Sequence, residues 1–200
     1  MATTDKCLST ALRAAQRGDQ DAFRRLYRAV QPRLLRYLSV LVGEAADQVA
    51  AQTWREITQG LADFRGDFHR FRGWVTVSGR SRALDHLSRH GSAAPVQERP
   101  ARTVHDDDAD RPAEPLSPDA AIALIADLPA DQAEAVLLRV VMGLDTRQTA
   151  EILGRSAEAV QATAHQGLRN LADRLDRTDA APRAEDGPGA AAPHPSQGDR

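Results

Sequence analysis

Residues 144–175 read LDTRQTAEILGRSAEAVQATAHQGLRNLADRL, and this stretch decides the fold prediction. Apolar side chains recur at three- and four-residue steps on both sides of Gly154, which predicts two helices that share one buried face. Ser156 is the expected N-cap of the second helix. The pattern predicts a helix-turn-helix whose inward-facing residues are Ala150, Ile152, Leu153, Val160, Ala164, Leu168, Leu171 and Leu175.

The outward face of the second helix is the candidate DNA-reading surface, because the first residues of such a helix approach base edges. Gln161 and Gln166 can pair with adenine, and Ala162 can touch a thymine methyl group. Positive charge is scarce, since residues 156–175 contain only Arg169 and Arg174. The candidate DNA contacts of this motif are Arg147, Arg155, Ser156, Glu158, Ala159, Gln161, Ala162, His165, Gln166 and Arg169.

Charge is distributed unevenly along the 200 residues, although the formal net charge is only -2. Residues 10–90 carry 14 basic against 8 acidic residues, whereas residues 116–176 carry 5 against 9. A surface that binds a polyanion is therefore expected mainly in the first half of the chain.

Composition excludes several classes of protein. A hydrophobic content of 42% with only 4% aromatic residues fits one or two small helical domains. The single cysteine, Cys7, leaves no partner for an intramolecular disulfide or a CxxC pair. The chain contains no leader-like apolar segment and no run of eighteen apolar residues, so we expect a soluble cytoplasmic protein without membrane insertion. No GxSxG, P-loop, HExxH or GxGxxG pattern occurs, which argues against an enzyme.

The first half has the periodicity of a small helical domain. Apolar residues from Phe23 to Leu41 mark one face of a long helix that contains Pro32 and ends at Gly43. Further helices are predicted over about residues 45–61 and 73–89.

The second half is separated from the first by a stretch without periodicity. Residues 91–115 contain four prolines and the acidic run DDDAD, a composition typical of a flexible tether. Ser117 followed by Pro118 predicts a helix start, and further helices follow from Pro129 to near Gly143 and around Gly154. The predicted organisation is all-α, with domains at residues 1–90 and 117–177, a linker at 91–116 and a disordered tail at 178–200.

Aromatic and arginine side chains alternate in residues 64–74, FRGDFHRFRGW, which contain half of the eight aromatic residues. Aromatic faces can stack on unpaired bases while Arg65, Arg70 and Arg72 hold phosphates, as single-stranded or melting DNA requires. In a domain this poor in aromatics, Phe64, Phe71 and Trp74 are expected inside the core. Phe68 and His69 are expected to be exposed in a glycine-bounded loop.

The order of these parts resembles the extracytoplasmic-function sigma factors of bacterial RNA polymerase. The resemblance rests on AFRRLYRAVQPRLLRYLSVLVG, AADQVAAQTWREI, FRGWVTVSGRSRALDHLSR and LPADQAEAVLLRVVMGLDTRQTAEILGRSAEAVQATAHQGLRNL. It implies two helical domains, region 2 and region 4. Region 2 would bind the β′ clamp of core polymerase and melt the minus-ten promoter element, and region 4 would bind the β flap and read the minus-thirty-five element. It also implies no catalytic activity, no cofactor, and an anti-sigma factor as a further partner.

The resemblance assigns roles position by position. AADQVAAQTW matches the core-binding helix, where Asp47 and Trp54 fit the family pattern, whereas Gln48, Ala51 and Gln52 replace residues that are commonly Asp, Gln and Glu. FRGDFHRF matches the segment that captures a flipped promoter base, and the helix that follows it faces the minus-ten element. The region 2 residues assigned to DNA are Arg65, Asp67, Phe68, His69, Trp74, Arg80, Ser81 and Arg82.

The recognition helix departs from the family pattern of Val-Lys-Ser-Arg followed by a His-Arg pair. Here these positions hold Val160, Gln161, Ala162 and Thr163, then His165 and Gln166, so three positive charges are missing. Each lost phosphate contact lowers both the affinity and its salt dependence. The substitution pattern predicts weak binding to the upstream promoter element.

Two other functions remain open. One is a DNA-binding regulator that uses the helix-turn-helix without polymerase, and the other is a degenerate sigma-like protein that acts through protein interaction alone. His86 and His90 lie beside Asp85 at a spacing that suits a metal, but no third ligand is evident, so surface histidines are the preferred interpretation.

Overall fold

The computed structural model describes residues 2–90 and 117–179, and these residues form helices and turns without any strand. The all-α prediction is confirmed. The predicted linker and, from residue 180 onward, the predicted tail lie outside the described residues, whereas residues 178 and 179, predicted to belong to the tail, are the end of a helix. The helices are α1 (Ala2–Ala15), α2 (Gln20–Val42), α3 (Ala46–Gly60), α4 (Phe68–His90), α5 (Pro118–Ala126), α6 (Ala130–Val136), α7 (Thr146–Leu153) and α8 (Ala157–Asp179).

Helix α2 is the centre of the first half and packs against α1, α3 and α4. Asp19 caps its N-terminus by accepting a hydrogen bond from the backbone N–H of Ala22 at 2.9 Å. Leu26, Leu34 and Leu38 on this helix are completely buried. Burial of each such side chain contributes about 1.5–3 kcal/mol, so the apolar face of α2 holds this bundle together.

Two features of the first half differ from the sequence prediction. Helix α1 was not predicted, yet it packs against α2 and α4 and buries Leu12. Helix α4 begins five residues earlier than the predicted start at about residue 73. The cause is Asp67, whose carboxylate accepts a hydrogen bond from the backbone N–H of Arg70 at 2.9 Å and so caps the extra turn.

The second half contains the four predicted helices, α5 to α8. The predicted start at Ser117 is confirmed, because the Ser117 hydroxyl accepts a hydrogen bond from the N–H of Ala120. Helix α6 continues into one turn of π-helix over Leu137–Val141, which the sequence did not predict. Gly154 has φ 63 and ψ 33, a left-handed conformation that glycine adopts at little cost, and it separates α7 from α8.

The two halves pack against each other. Helix α2 contacts both α5 and the π-helical turn, and buried apolar residues of both halves belong to one continuous core. Over residues 2–90 and 117–179, no helix combines the length and the apolar character needed to cross a membrane.

Candidate nucleic-acid interface

A cleft of about 710 Å³ lies between α4 of the first half and α7 of the second. From the first half it is lined by five predicted DNA-contacting residues, Asp67, His69, Trp74, Arg80 and Ser81. From the second half it is lined by Arg147, also a predicted DNA contact, and by Asp145, Gln148, Glu151 and Ile152. The structure therefore brings together residues that the sequence assigned to two separate DNA surfaces.

Phe68 does not have the exposure that the sequence suggested. Its side chain is 4% exposed, its ring lies 6.3 Å from that of Phe71, and the Arg72 guanidinium lies 5.8 Å from its ring centroid. The unpredicted helix α1 covers this point, since the Ser9 hydroxyl accepts a hydrogen bond from the Phe68 N–H at 3.1 Å. The prediction of an exposed Phe68 was wrong, whereas His69 is half-exposed beside the cleft.

The other aromatic residues of this stretch pack on one another, but of the three expected inside the core only Phe71 is fully buried, whereas Phe64 and Trp74 are half-buried. Phe64 stacks on Trp74 with ring centroids 5.1 Å apart and an interplanar angle of 9°. Phe71 is completely buried and meets both rings edge-on. Trp74 is only partly buried, and it lines the cleft.

Arg72 is not a solvent-facing phosphate ligand in this arrangement. It is only 9% exposed, and its Nη2 atom donates a hydrogen bond to the backbone oxygen of Gly143 at 2.6 Å. Burial lowers the pKa of Arg72 below its ordinary value, and the nearby positive charge of Arg33 lowers it further. The role of Arg72 in holding a phosphate, suggested by the sequence, does not fit this buried position.

Arg80 is bound by a carboxylate of the second half. Its Nε atom lies 2.8 Å from Oε1 of Glu134, and its Nη2 atom lies 3.3 Å from Oε2. The hydrogen bond to Glu134 raises the pKa of Arg80. Tyr37 donates a further hydrogen bond to Glu134 at 3.1 Å, and burial followed by the adjacent Glu134 charge raises the Tyr37 pKa well above its ordinary value. Sequence reasoning missed Glu134, because nothing near it in the sequence points to α4.

Arg65 and Arg82 lie away from the cleft. Arg65 is exposed, and its Nη1 atom donates to the backbone oxygens of Ala62 and Phe64. Arg82 points to the opposite side of α4, where its Nε and Nη2 atoms lie 3.0 Å and 2.9 Å from Glu56. These two predicted DNA contacts therefore do not share a surface with Arg80.

Helix α8, the predicted recognition helix, presents the face predicted to read DNA to solvent. It begins after Ser156, whose hydroxyl accepts a hydrogen bond from the Ala159 N–H at 3.2 Å, as predicted. Arg147 and Arg155 are exposed, and each forms an ion pair. Arg147 lies 3.1 Å from Glu151, and Arg155 lies 3.6 Å from Asp131. The exposed residues of the predicted set are Arg147, Arg155, Ser156, Glu158, Ala159, Gln161, Ala162, His165, Gln166 and Arg169.

The orientation of α8 depends on contacts that sequence reasoning missed. Gln166 donates a hydrogen bond to Asn170 at 3.1 Å, and Asn170 donates one to Gln132 of α6 at 2.7 Å. Two of the residues predicted to face inward are instead exposed, Leu168 at 46% and Leu175 at 37%. Gly167 next to Leu168 packs against Val136 and Gln132 of α6, so the covered face of α8 is the one that bears Gly167, and Leu168 lies beside that face.

Of the α3 residues predicted to bind core polymerase, some are exposed and one is buried. Asp47, Gln48 and Ala51 are exposed, and Gln52 is half-buried. Trp54 is 6% exposed and donates its indole N–H to Gln31 of α2. Trp54 therefore packs α3 against α2, while the other four residues form the accessible face of α3.

The histidine pair of α4 forms no metal site within the described part of the chain. The rings of His86 and His90 stack with centroids 4.2 Å apart, and Nδ1 of His90 lies 2.9 Å from the backbone oxygen of His86. No group of three or more potential ligands occurs in residues 2–90 and 117–179.

Comparison with known proteins identifies the family of this chain. Residues 119–171 match the family model "Sigma-70, region 4". The chain is 32% identical to the ECF RNA polymerase sigma factor ShbA of Streptomyces griseus over 173 residues, which cover 78% of this chain and 89% of ShbA. It is 28% identical over 166 residues to the ECF sigma factor BldN of Streptomyces coelicolor, covering 80% of this chain and 63% of BldN's own length.

Among solved structures, CnrH, determined in complex with the cytosolic domain of CnrY, has the same fold. It superposes with a TM-score of 0.54 at 21% identity, and the match covers 86% of this chain and 97% of CnrH. The sequence matches show that the chain belongs to the ECF family of RNA polymerase sigma factors. Members of this family are DNA-binding regulators of transcription.

Proposed function

We propose that the chain is a promoter-specificity subunit of bacterial RNA polymerase in which each half has its own DNA surface. Residues 1–90 form region 2, which binds core polymerase and melts the minus-ten element, and residues 117–177 form region 4, which reads the minus-thirty-five element. The observation that supports this assignment most directly is the exposed polar face of α8 after Gly154, on the same chain as the aromatic and basic face of α4.

The cleft face of α4 has the chemistry needed to hold a base taken out of the stack. An extruded base is recognised by stacking on an aromatic ring and by hydrogen bonds to its polar edge. Trp74 offers the ring, and Asp67 and His69 offer acceptors and donors at the same end of the cleft. Arg80 and Ser81, one to two turns further along α4, suit the adjacent phosphates. Phe68 supports this surface from within the core.

The surface of α8 suits sequence reading with little electrostatic attraction. Gln161, Gln166 and Ala162 can contact base edges, and Arg169 supplies a charge for a phosphate or a guanine. Since few phosphate contacts are available, the affinity of this half for DNA alone should be low. Binding of both halves to one polymerase compensates by raising the effective concentration of α8 at the promoter.

The accessible face of α3, formed by Asp47, Gln48, Ala51 and Gln52, is the proposed contact with the β′ clamp. The second half would contact the β flap, as in the family it belongs to. An anti-sigma factor is a further proposed partner, and CnrH, which has the same fold, is itself solved with the cytosolic domain of CnrY.

The test is transcription from genomic templates by core polymerase with and without the full chain. Specific initiation that depends on the chain, together with copurification with core enzyme, is the expected result. Asp47→Asn should reduce copurification, whereas Asp21→Asn, which removes the same charge at an exposed position of α2, should not. Absence of both initiation and copurification would overturn the proposal.

A degenerate sigma-like protein acting by protein contact alone is the second candidate, favoured by the charge-poor reading face of α8. The two functions differ in one measurement. A promoter-binding protein protects specific DNA when polymerase is present, whereas a protein-only factor copurifies with its partner without any footprint.

A further inference from the structure

The contact between the two halves covers part of the face of α4 to which we assign DNA. Gln148 of α7 lies directly over Gly73 of α4, so that a Cβ atom at residue 73 would be 3.1 Å from the Gln148 Nε2 atom. Gln148 also approaches the backbone oxygen of His69, and the His69 Nε2 atom lies 3.8 Å from the Asp145 carboxylate. At Gly73 and His69, side chains of α7 therefore occupy part of the space that a DNA strand on α4 would need.

Glu134 accepts hydrogen bonds from the same nitrogen atoms of Arg80 that would bind a phosphate. A guanidinium recognises phosphate and carboxylate in the same way, through two parallel N–H donors. Both the Nε and the Nη2 atoms of Arg80 point to the Glu134 carboxylate, and both side chains are about three-quarters buried, at 26% and 22% exposure. DNA and Glu134 therefore compete for one guanidinium.

The contact between the halves also contains features that oppose it. Within residues 2–90 and 117–179, the buried Nε atom of Arg72 and Oε1 atom of Gln148 have no hydrogen-bond partner. Arg33 and Arg72 bring two positive charges together beside Gly143. Unpaired buried polar atoms and like charges oppose closure, whereas the hydrogen bonds of Glu134 with Arg80 and Tyr37 and that of Arg72 with Gly143 favour it.

We propose that this arrangement is a closed state of the chain that excludes promoter DNA, with Glu134 serving as an internal substitute for a DNA phosphate on Arg80. Opening separates α7 from α4, frees Arg80 and widens the cleft that His69 and Trp74 line. This inference rests on the proposed function only for the identity of the competing ligand. The closure itself is a property of the isolated chain.

The first test measures closure without DNA. Cys7 is the only cysteine and is exposed on α1, so one spin label at Cys7 and a second at Asp173→Cys on α8 report the distance between the halves. Glu134→Gln should shift the distance distribution to longer values and broaden it. Glu44→Gln, the same change at an exposed position between α2 and α3, should leave the distribution as in the parent.

A charge exchange tests whether the ion pair itself holds the halves together. Glu134→Arg should open the chain by placing two cations together, and its combination with Arg80→Glu should restore the shorter label distance. Identical distance distributions in the parent and in Glu134→Gln, or no restoration by the exchange, would overturn the proposal.

The second test measures the competition with DNA on the full chain, using a fluorescent single-stranded oligonucleotide of mixed sequence and no polymerase. Glu134→Gln should bind about tenfold more tightly than the parent, because a larger fraction of molecules is open. Glu56→Gln is the matched control, since it releases Arg82 from an ion pair inside the first half without touching α7. An equal gain in both variants would mean that released charge, and not opening, improves binding.

These readouts separate the two proposals. Suppose that Glu134→Gln opens the chain and tightens oligonucleotide binding, but that the protein supports no transcription with core polymerase. The closed state is then supported and the sigma function is not. If the protein initiates transcription, but Glu134→Gln changes neither the label distance nor the oligonucleotide affinity, the sigma function is supported and the closed state is not.

Discussion

The Ser9 hydroxyl accepts a hydrogen bond from the backbone N–H of Phe68 at 3.1 Å, so α1 anchors the first residue of α4. This contact joins residues 59 positions apart and closes the core over the Phe68 ring. The start of the proposed minus-ten surface is thereby fixed by a helix that itself carries none of the proposed DNA contacts.

Substitution of Phe68 should therefore act on stability. Phe68→Ala removes a buried ring and should lower the free energy of unfolding by about 3–5 kcal/mol, whereas the volume-preserving Phe68→Leu should cost much less. His69→Ala, at a half-exposed position, should change stability by less than about 0.5 kcal/mol and impair open-complex formation more than closed-complex binding. Chemical denaturation and permanganate footprinting of the promoter measure the two effects. Equal loss of closed and open complexes in His69→Ala would argue against base capture.

Trp54 and Asp47 should separate stability from polymerase binding. Trp54→Ala removes a buried ring that packs against Phe23 and Tyr27, and should lower the free energy of unfolding by about 3–5 kcal/mol. Asp47→Asn should leave the unfolding transition unchanged and weaken core-polymerase affinity by about tenfold. Thermal denaturation and fluorescence titration with core enzyme distinguish the variants. A stable Trp54→Ala protein would show that the indole is not part of the core.

Gly154 should tolerate only residues that accept a left-handed backbone. No atom lies within 4 Å of a Cβ built at this residue, so its φ of 63° is the whole constraint. Gly154→Ala should cost about 1–2 kcal/mol, and Gly154→Asn should cost less because asparagine adopts this conformation more readily. Denaturant titration of the three proteins gives the order. An alanine variant as stable as the parent would contradict the assigned turn.

The reading face of α8 should respond differently to loss of charge and loss of a glutamine. Arg169→Ala should reduce the slope of log affinity against log salt by about one for holoenzyme binding to the promoter. Gln161→Ala should leave that slope unchanged and relax base preference at one position of the upstream element, by about 1–3 kcal/mol. Binding to a set of promoter variants at several salt concentrations measures both. Unchanged promoter choice in the two variants would show that α8 does not read sequence.

The phenol of Tyr37 should respond to alkaline pH. Burial and the Glu134 charge raise its pKa well above the ordinary value of about 10, so the folded state favours the neutral phenol. The stabilisation is fully present below about pH 10 and is lost as the pH rises further, because the unfolded state then releases its proton first. In a Tyr27→Phe variant, whose remaining tyrosine is Tyr37, tyrosinate absorbance should appear together with loss of helical circular dichroism. Ionisation at about pH 10 in a fully helical protein would contradict this environment.

Local signals allowed much of this fold to be predicted from the sequence. Ser117 with Pro118, Gly154 and Ser156 each act within a few residues, and each has the role that was expected. Helical spacing also placed the exposed face of α8 correctly as a surface, and the family resemblance did the same for the cleft residues of α4. What these predictions share is that neighbouring residues determine them.

The failures that change the site concern contacts between distant parts of the chain. Phe68 is buried because α1 covers it, and α1 was overlooked although Leu8 and Leu12 already mark one apolar helical face. Glu134 meets Arg80 across 54 positions, and no pattern in α6 announces that contact. Leu168 keeps its helical spacing without being covered. Periodicity indicates that a face is apolar, but only packing decides whether that face is buried.

Salt should act on the free chain in two opposing directions because of the Arg80–Glu134 contact. Ionic strength screens the attraction between a half with 14 basic against 8 acidic residues and one with 5 against 9, and so favours opening. The same ions weaken each arginine–phosphate contact that opening makes available. The affinity of the free chain for nucleic acid should therefore vary less with salt concentration than its exposed arginines imply. Glu134→Gln should restore the full salt dependence of that affinity.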